Sequence, residues 1–453
     1  MSRMSRIEGC ASLAYVVIAL AARLATESTA DASYLLLAAY ALFGRGPAIQ
    51  AIALSWLFSV LNPGIAAEAP GASIGRYAVL AAAAASVLAR SKVFHDGMKV
   101  RPVVIITVLL GLFFIVHALL FSPIVDVSVL KSVSWTLAMG TLIAAWLGLT
   151  DEERSAVADN IYIGLVVLMI VSFPLLALPV GYLANQTGFQ GVLSHPQAFG
   201  STMALLGAWA ASGMLGKRQP PWSAVALVGV CLVLVLLSEA RTAGFALVLG
   251  VGSAAVFAPS VSGRSARALL PGLRSKRVYL VGGAVLVGVV LAGPRLESLV
   301  TGFISKNDRA GVYSLSAAYE RSRGELVETM WANIRDNPIQ GIGFGVPSNP
   351  TSMHIERDPV FGLPIGAPIE KGVLPFAVLE EVGIIGFAAV AAWVLFLLRR
   401  SSVGGISPFA VVLTALFLNI GESTLFSPGG MGLLSLVLIG WAFASGQNTE
   451  RTR

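Results

Sequence analysis

The sequence predicts an all-α fold, a polytopic transmembrane helical bundle of 12–14 spans with one large external loop containing an amphipathic helix. Three observations carry that expectation. Apolar residues make up 56% of the chain and charged residues only 12%. Mean hydropathy is +0.80. The apolar residues also fall in a train of stretches separated by short, basic connections. A soluble domain carries about 25% charge because its surface faces water. A chain this poor in charge presents most of its surface to lipid instead.

The stretches lie at roughly 8–25, 31–43, 47–62, 74–90, 102–121, 128–149, 157–182, 197–215, 222–238, 240–258, 278–293, 372–398, 406–420 and 429–446, fourteen candidates in all. The first ends at Arg23 and Thr26 without a small-residue cleavage site, so it reads as a retained span rather than a signal peptide. Stretches 31–43 and 47–62 are shorter than the ~20 residues of a perpendicular crossing. A re-entrant pair there, with twelve spans in total, is the alternative. Cys10 and Cys231 lie in separate apolar stretches and define no disulfide framework.

Sidedness follows from the basic residues. With the N-terminus in the cytoplasm, 19 of the 31 lysines and arginines fall in cytoplasmic segments. Only Arg23, Arg76, Lys131 and Arg241 fall in short external ones. The net charge of +7 is therefore topogenic, and nucleic acid is not an expected partner. Both termini come out cytoplasmic and residues 294–371 external, for twelve spans as for fourteen. The chain divides into an N-terminal bundle (1–293), the loop (294–371) and C-terminal spans (372–453), one integrated membrane domain.

Long loops in compact proteins usually shape a site. Within this one, 319–335 predicts an amphipathic helix, with Val327, Met330, Trp331 and Ile334 on one face and Arg321 and Glu325 four apart on another. Asn337-Pro338 ends it, and Gly341, Gly343 and Gly345 form a flexible turn. That glycine run lacks the preceding strand and following Lys-Ser/Thr of a nucleotide loop. The four histidines, His95, His117, His195 and His354, have no paired spacing, so no metal site is expected.

Polar residues at the external boundary are costly unless they function. Arg241 lies in Ser238-Glu239-Ala240-Arg241-Thr242, Glu422 in another external turn, and His195-Pro196 opens a span at the same level. Glu381, preceded by Glu380, sits ten residues into the stretch 372–398, about 15 Å along a helix.

In chain order these segments resemble the bacterial O-antigen ligase and O-antigen (exopolysaccharide) polymerase family. The resemblance rests on His195-Pro196-Gln197-Ala198-Phe199-Gly200, then Ser238-x-x-Arg241-Thr242, then Arg323-x-Glu325-Leu326 with Asn337-Pro338-x-x-Gly341-x-Gly343-Phe344-Gly345, then Glu381-x-Gly383-x-x-Gly386. It covers about residues 190–390. It implies a C-type membrane glycosyltransferase of the bacterial inner membrane, without a cofactor or metal. Such an enzyme moves a glycan from an undecaprenyl diphosphate-linked donor to an acceptor hydroxyl on a glycan or on lipid A–core. Arg241 is then expected on the diphosphate, with Arg323 or Arg321 approaching from the loop and His195 nearby. Guanidinium pairs phosphate oxygens bidentately and stays charged. Family members commonly place a histidine before the span after the loop, but Pro368-Ile369-Glu370-Lys371-Gly372 has none. Glu370 or His354 is the expected general base, with Glu381 a further catalytic candidate. The rival expectation is a polytopic transporter, such as a lipid-linked oligosaccharide flippase or a permease.

Overall fold

The computed structural model describes residues 3–91, 102–185, 187–280, 282–283, 324–357, 362, 364–366 and 371–446. Helices account for nearly all of its regular structure: α1 Arg3–Ala25, α2 Glu27–Ala41, α3 Arg45–Ser59, α4 Ala72–Arg90, α5 Pro102–Phe121, α6 Val125–Gly148, α7 Asp151–Ser172, α8 Pro196–Leu215, α9 Trp222–Leu237, α10 Arg241–Ser262, α11 Glu325–Asp336, α12 Leu374–Val403, α13 Ile406–Leu418 and α14 Gly432–Ser445. Seven of them (α4, α5, α6, α7, α8, α10 and α12) are long and apolar enough to cross a membrane, and α1, α9, α13 and α14 contain shorter apolar helices. The chain is a multi-pass, membrane-embedded helical protein. Most of the expected stretch 278–293 lies outside the described residues.

One face of the bundle is fastened by arginines on helix C-termini, whose last carbonyls have no partner within their own helix. Arg45, at the start of α3, donates to Gly148 O of α6 (2.8 Å) and Arg90 O of α4 (2.6 Å). Arg90 donates to Leu42 O just past α2 (2.8 Å), and Arg154 to Trp146 O and Leu149 O (3.3 and 3.0 Å). At the opposite face, buried Arg23 donates to Phe58 O (3.2 and 3.1 Å) and Ala67 O (2.6 Å). The α2–α3 turn thus meets the C-terminal ends of α4 and α6, while the far end of α3 meets Arg23. α2 and α3, expected either as spans or as a re-entrant pair, are not among the helices long and apolar enough to cross a membrane by themselves. Both are fifteen residues long and carry buried faces against neighbouring helices.

The core near the second face is aromatic. Trp135 and Trp393 are fully buried, and their indole N–H groups reach Leu425 O (3.2 Å) and Thr107 Oγ1 (3.1 Å). Phe344, from the loop, stacks on Phe114 at 4.2 Å and meets Phe426 edge-on. The loop is therefore rooted in the bundle. Its helix begins, among the described residues, near Glu325 and ends at Asp336, with Asn337 as cap, as Asn337-Pro338 predicts. Met330 and Ile334 are buried on the expected face. Trp331 is 48% exposed, with its edge against Phe376. A short hairpin (β1 Glu356–Arg357, β2 Pro364–Gly366) follows, tied to α6 by Arg357–Asp126 at 2.6 Å.

The expected stretch 372–398 falls largely within α12, a candidate span. Helix α12 breaks at Gly383, whose backbone turns to φ 63°, ψ −172°. Loop residues fill the gap. Ile342 N–H donates to Glu380 O and Gly343 N–H to Glu381 O (both 2.9 Å), while Ile384 N–H donates to Pro338 O (3.0 Å). Gly341, Gly343 and Gly345, expected as a flexible turn, are instead fixed at φ 70°, 116° and 70° by this docking and by the Phe344 anchor.

A Cβ on residue 383 would lie 2.0 Å from Ile339 O. Gly383→Ala is expected to lower the melting temperature of the detergent-solubilised protein by several degrees, since the left-handed conformation alone costs about 1–2 kcal/mol and the clash adds to it. Gly229→Ala, where nothing lies within 4 Å, is expected to leave it unchanged or raise it.

Candidate functional site

The break in α12 holds two adjacent carboxylates at its edge, and both are occupied. Glu380 is fully buried. It accepts from Asn333 Nδ2 of α11 (2.7 Å) and Ser348 Oγ (3.1 Å), and pairs with Lys371 Nζ at 2.7 Å. Asn333 also donates to Ser348 O at 2.8 Å, so α11, the following loop and α12 are joined at one point. Glu381 pairs with the same Lys371 Nζ at 3.1 Å, and its Oε2 accepts from Gly345 N–H at 2.7 Å. The Lys371 side chain is 1% exposed. A buried ammonium is tolerated only where carboxylates compensate it, and here two do.

Lys131 approaches from α6. Its Nζ donates to Gly345 O at 3.3 Å, so Gly345 touches Glu381 through its N–H and Lys131 through its carbonyl. A Cβ at Gly345 would meet Lys131 Cδ at 2.8 Å, so a larger residue there would displace the lysine as well as strain the backbone at φ 70°. Between these groups lies a cavity of about 180 Å³, lined by Lys131, Lys371 and Glu381, by Ser423 and Ser427 of the α13–α14 turn, and by apolar residues including Phe344 and Phe426. A single water needs roughly 10–15 Å³ on this measure, so the space admits a much larger polar group.

The turn beyond α13 connects this cavity to the other boundary residues. Leu374 N–H donates to Asn419 O (2.9 Å) and Ser423 N–H to Lys371 O (3.2 Å). On its other side, a Cβ on Gly421 would lie 2.0 Å from Thr242 Oγ1, so Arg241-Thr242 packs directly on Gly421-Glu422. A Cβ on Gly200 would likewise meet Ala240 and Ser238. The segments carrying His195, Arg241 and Glu422 are thus brought together at the loop-bearing face, as their sequence positions predict. Arg241 is half-buried as the first residue of α10. It follows Glu239, the one non-glycine residue with positive φ (54°) among the described residues. His195 is exposed and caps α8, its Nδ1 accepting from Gln197 N–H at 3.1 Å.

The remaining candidates divide. Glu381 lines the cavity, but as the eighth residue of α12 rather than the tenth of the span, because the helix begins at Leu374. His354 is exposed two residues before β1 and is not among the residues lining the cavity. Arg321, Arg323 and Glu370 lie outside the described residues. No three of His, Cys, Asp and Glu cluster as metal ligands among the described residues. Sequence reasoning missed Asn333, Ser348, Lys131 and the pairing of Lys371 with Glu380. Lys371 was legible only as an interfacial charge beside Glu370. The signal that could have found the pairing is a lysine just before a span that carries two acidic residues.

Lys371→Met strands the buried Glu380 and removes the partner of the partly buried Glu381, and is expected to cost about 3–5 kcal/mol of stability, read as a fall in thermal unfolding temperature. Adding Glu380→Gln to that variant is expected to recover part of the loss. Neither a protein-family model nor a curated protein sequence matches the chain.

Proposed function

We propose that the chain is a membrane glycosyltransferase of the O-antigen ligase or polysaccharide polymerase type, acting at its loop-bearing face in the bacterial inner membrane. The observation that carries this reading is the cavity of about 180 Å³ whose wall combines two lysines, a carboxylate and two serine hydroxyls. The split of basic residues supports assigning that face to the outside and both termini to the cytoplasm.

In the proposed reaction the acceptor oxygen bonds to the anomeric carbon of the donor sugar. The bond from that carbon to the diphosphate oxygen breaks, and undecaprenyl diphosphate leaves with the electron pair. The acceptor proton passes to a carboxylate. Glu381 suits that role because it reaches the cavity, whereas His354 is exposed elsewhere on the loop. Glu370 remains a candidate through the resemblance, as do Arg321 and Arg323 for the diphosphate. Charge grows on the leaving diphosphate, and a well-placed donor in a partly dehydrated site contributes on the order of 3–4 kcal/mol to stabilising it. Arg241, at the N-terminus of α10, is the guanidinium assigned to it. The acceptor is a second lipid-linked glycan for a polymerase, or lipid A–core for a ligase.

One observation favours a second reading. Broken helices carrying buried charges also build the binding sites of transporters, and α12 is broken beside Lys371, Glu380 and Glu381. The lipid-linked pool of a deletion strain separates the two. A transferase defect accumulates donor accessible from outside, and a flippase defect accumulates donor facing the cytoplasm.

Arg241→Ala is expected to abolish transfer from a defined lipid-linked donor while the protein reaches the membrane at the normal level; wild-type turnover in that variant would refute the diphosphate role. Arg241→Lys is expected to lose at least about tenfold, because an ammonium cannot reproduce the two-pronged contact. Full activity there would reduce the residue to a counter-charge.

A further inference from the structure

We infer that the cavity beside the α12 break is a phosphate subsite, in which Lys131 and the hydroxyls of Ser423 and Ser427 hold the anion and Glu381 accepts a hydroxyl of an attached sugar. The inference rests on the transferase reading and deepens it, since it names the place where the diphosphate–sugar junction of the donor sits.

The charges around the cavity argue for it. Lys371 is committed to Glu380 and Glu381, at 2.7 and 3.1 Å. Glu380 is further held by Asn333 and Ser348. Lys131 is different. Its ammonium has three donors, yet its hydrogen bond among the described residues is one long contact of 3.3 Å to Gly345 O. No carboxylate among the described residues lies within ion-pairing distance of it. It is half-buried, and Glu381, on the same cavity wall, faces it only across Gly345 rather than in an ion pair; a cation so placed favours an anion in direct contact. Two further donors stand on the same wall, for Ser423 and Ser427 line the cavity and their hydroxyls make no hydrogen bond among the described residues.

The rest of the lining specifies what the anion is attached to. Phe344 and Phe426 give the cavity an aromatic side, suited to the apolar face of a sugar ring. Glu381, whose Oε2 accepts from Gly345 N–H and whose Oε1 pairs with Lys371, keeps a further lone pair on each oxygen for a hydroxyl donor. A phosphate alone would gain nothing from a carboxylate at the wall, whereas a phosphorylated sugar uses both charges.

The test uses the full-length protein in detergent, with inorganic pyrophosphate as the probe and thermal unfolding and calorimetry as readouts. Wild type is expected to bind pyrophosphate and to be stabilised by it beyond sodium sulfate at matched ionic strength. Lys131→Met is expected to weaken binding at least about tenfold, a loss of roughly 1.4 kcal/mol, and Lys131→Arg to retain most of it. The pair Ser423→Ala/Ser427→Ala is expected to weaken it independently, so the inference stays testable if the lysine variant folds poorly. Undiminished binding in both variants, or no binding to wild type, overturns the subsite. Competition by undecaprenyl phosphate is expected; its absence would mark a site for soluble phosphate and overturn the assignment to a lipid carrier. The two readings fail separately. Lys131-dependent pyrophosphate binding without glycan transfer would sink the transferase reading alone. Transfer that needs Arg241 but survives Lys131→Met with binding intact would sink the subsite alone.

Discussion

A helix interrupted inside a membrane protein exposes backbone groups that no lipid can satisfy, and each one left bare costs several kcal/mol. The break at Gly383 meets that constraint with the segment Pro338–Gly343, which donates to Glu380 O and Glu381 O and accepts from Ile384 N–H. The other features of the loop-bearing face follow. The glycines take left-handed conformations because the segment must lie flat against α12. Phe344 is carried into the aromatic core, and Asn333 is brought over Glu380. A hydrophilic loop is thereby made part of the bundle rather than an appendage to it.

The two faces solve their polar problems differently. On the face away from the loop, Arg45, Arg90 and Arg154 sit on helix C-termini, where carbonyls and the helix dipole both favour a cation. These contacts join α2, α4 and α6 without any buried carboxylate. On the loop-bearing face, charge is held by charge, with Lys371 between Glu380 and Glu381. The first arrangement fastens. The second surrounds an opening, which is why the functional reading is placed there.

Much of the fold was legible because bilayer thickness imposes a simple rule on apolar runs. The stretches at 102–121, 197–215 and 222–238 coincide closely with α5, α8 and α9. The face of Met330 and Ile334, and the stop at Asn337-Pro338, followed from helical spacing and proline sterics. What failed was set by contacts distant in sequence. The packing of α2 and α3 against α4, and of α3 against α6, is invisible in a linear reading. The break in α12 was hidden because residues 372–398 stay apolar on both sides of it, and only the docking of Ile339 explains Gly383. The proximity of Arg241-Thr242 to Gly421 was half legible, as a shared level without a shared contact. Lys131 stood out only as an external basic residue, and its contact was hidden because Gly345 lies more than two hundred residues away.

Gly345 gives its N–H to Glu381 and its carbonyl to Lys131; these belong to two successive planar peptide units joined at its Cα, which is held at φ 70°. That single residue acts as a yoke. Whatever shifts it disturbs the contacts of the carboxylate and of the ammonium, so occupancy of the opening and the seating of residues 338–345 are coupled. By reciprocity, a guest that prefers the seated arrangement also makes that arrangement harder to undo.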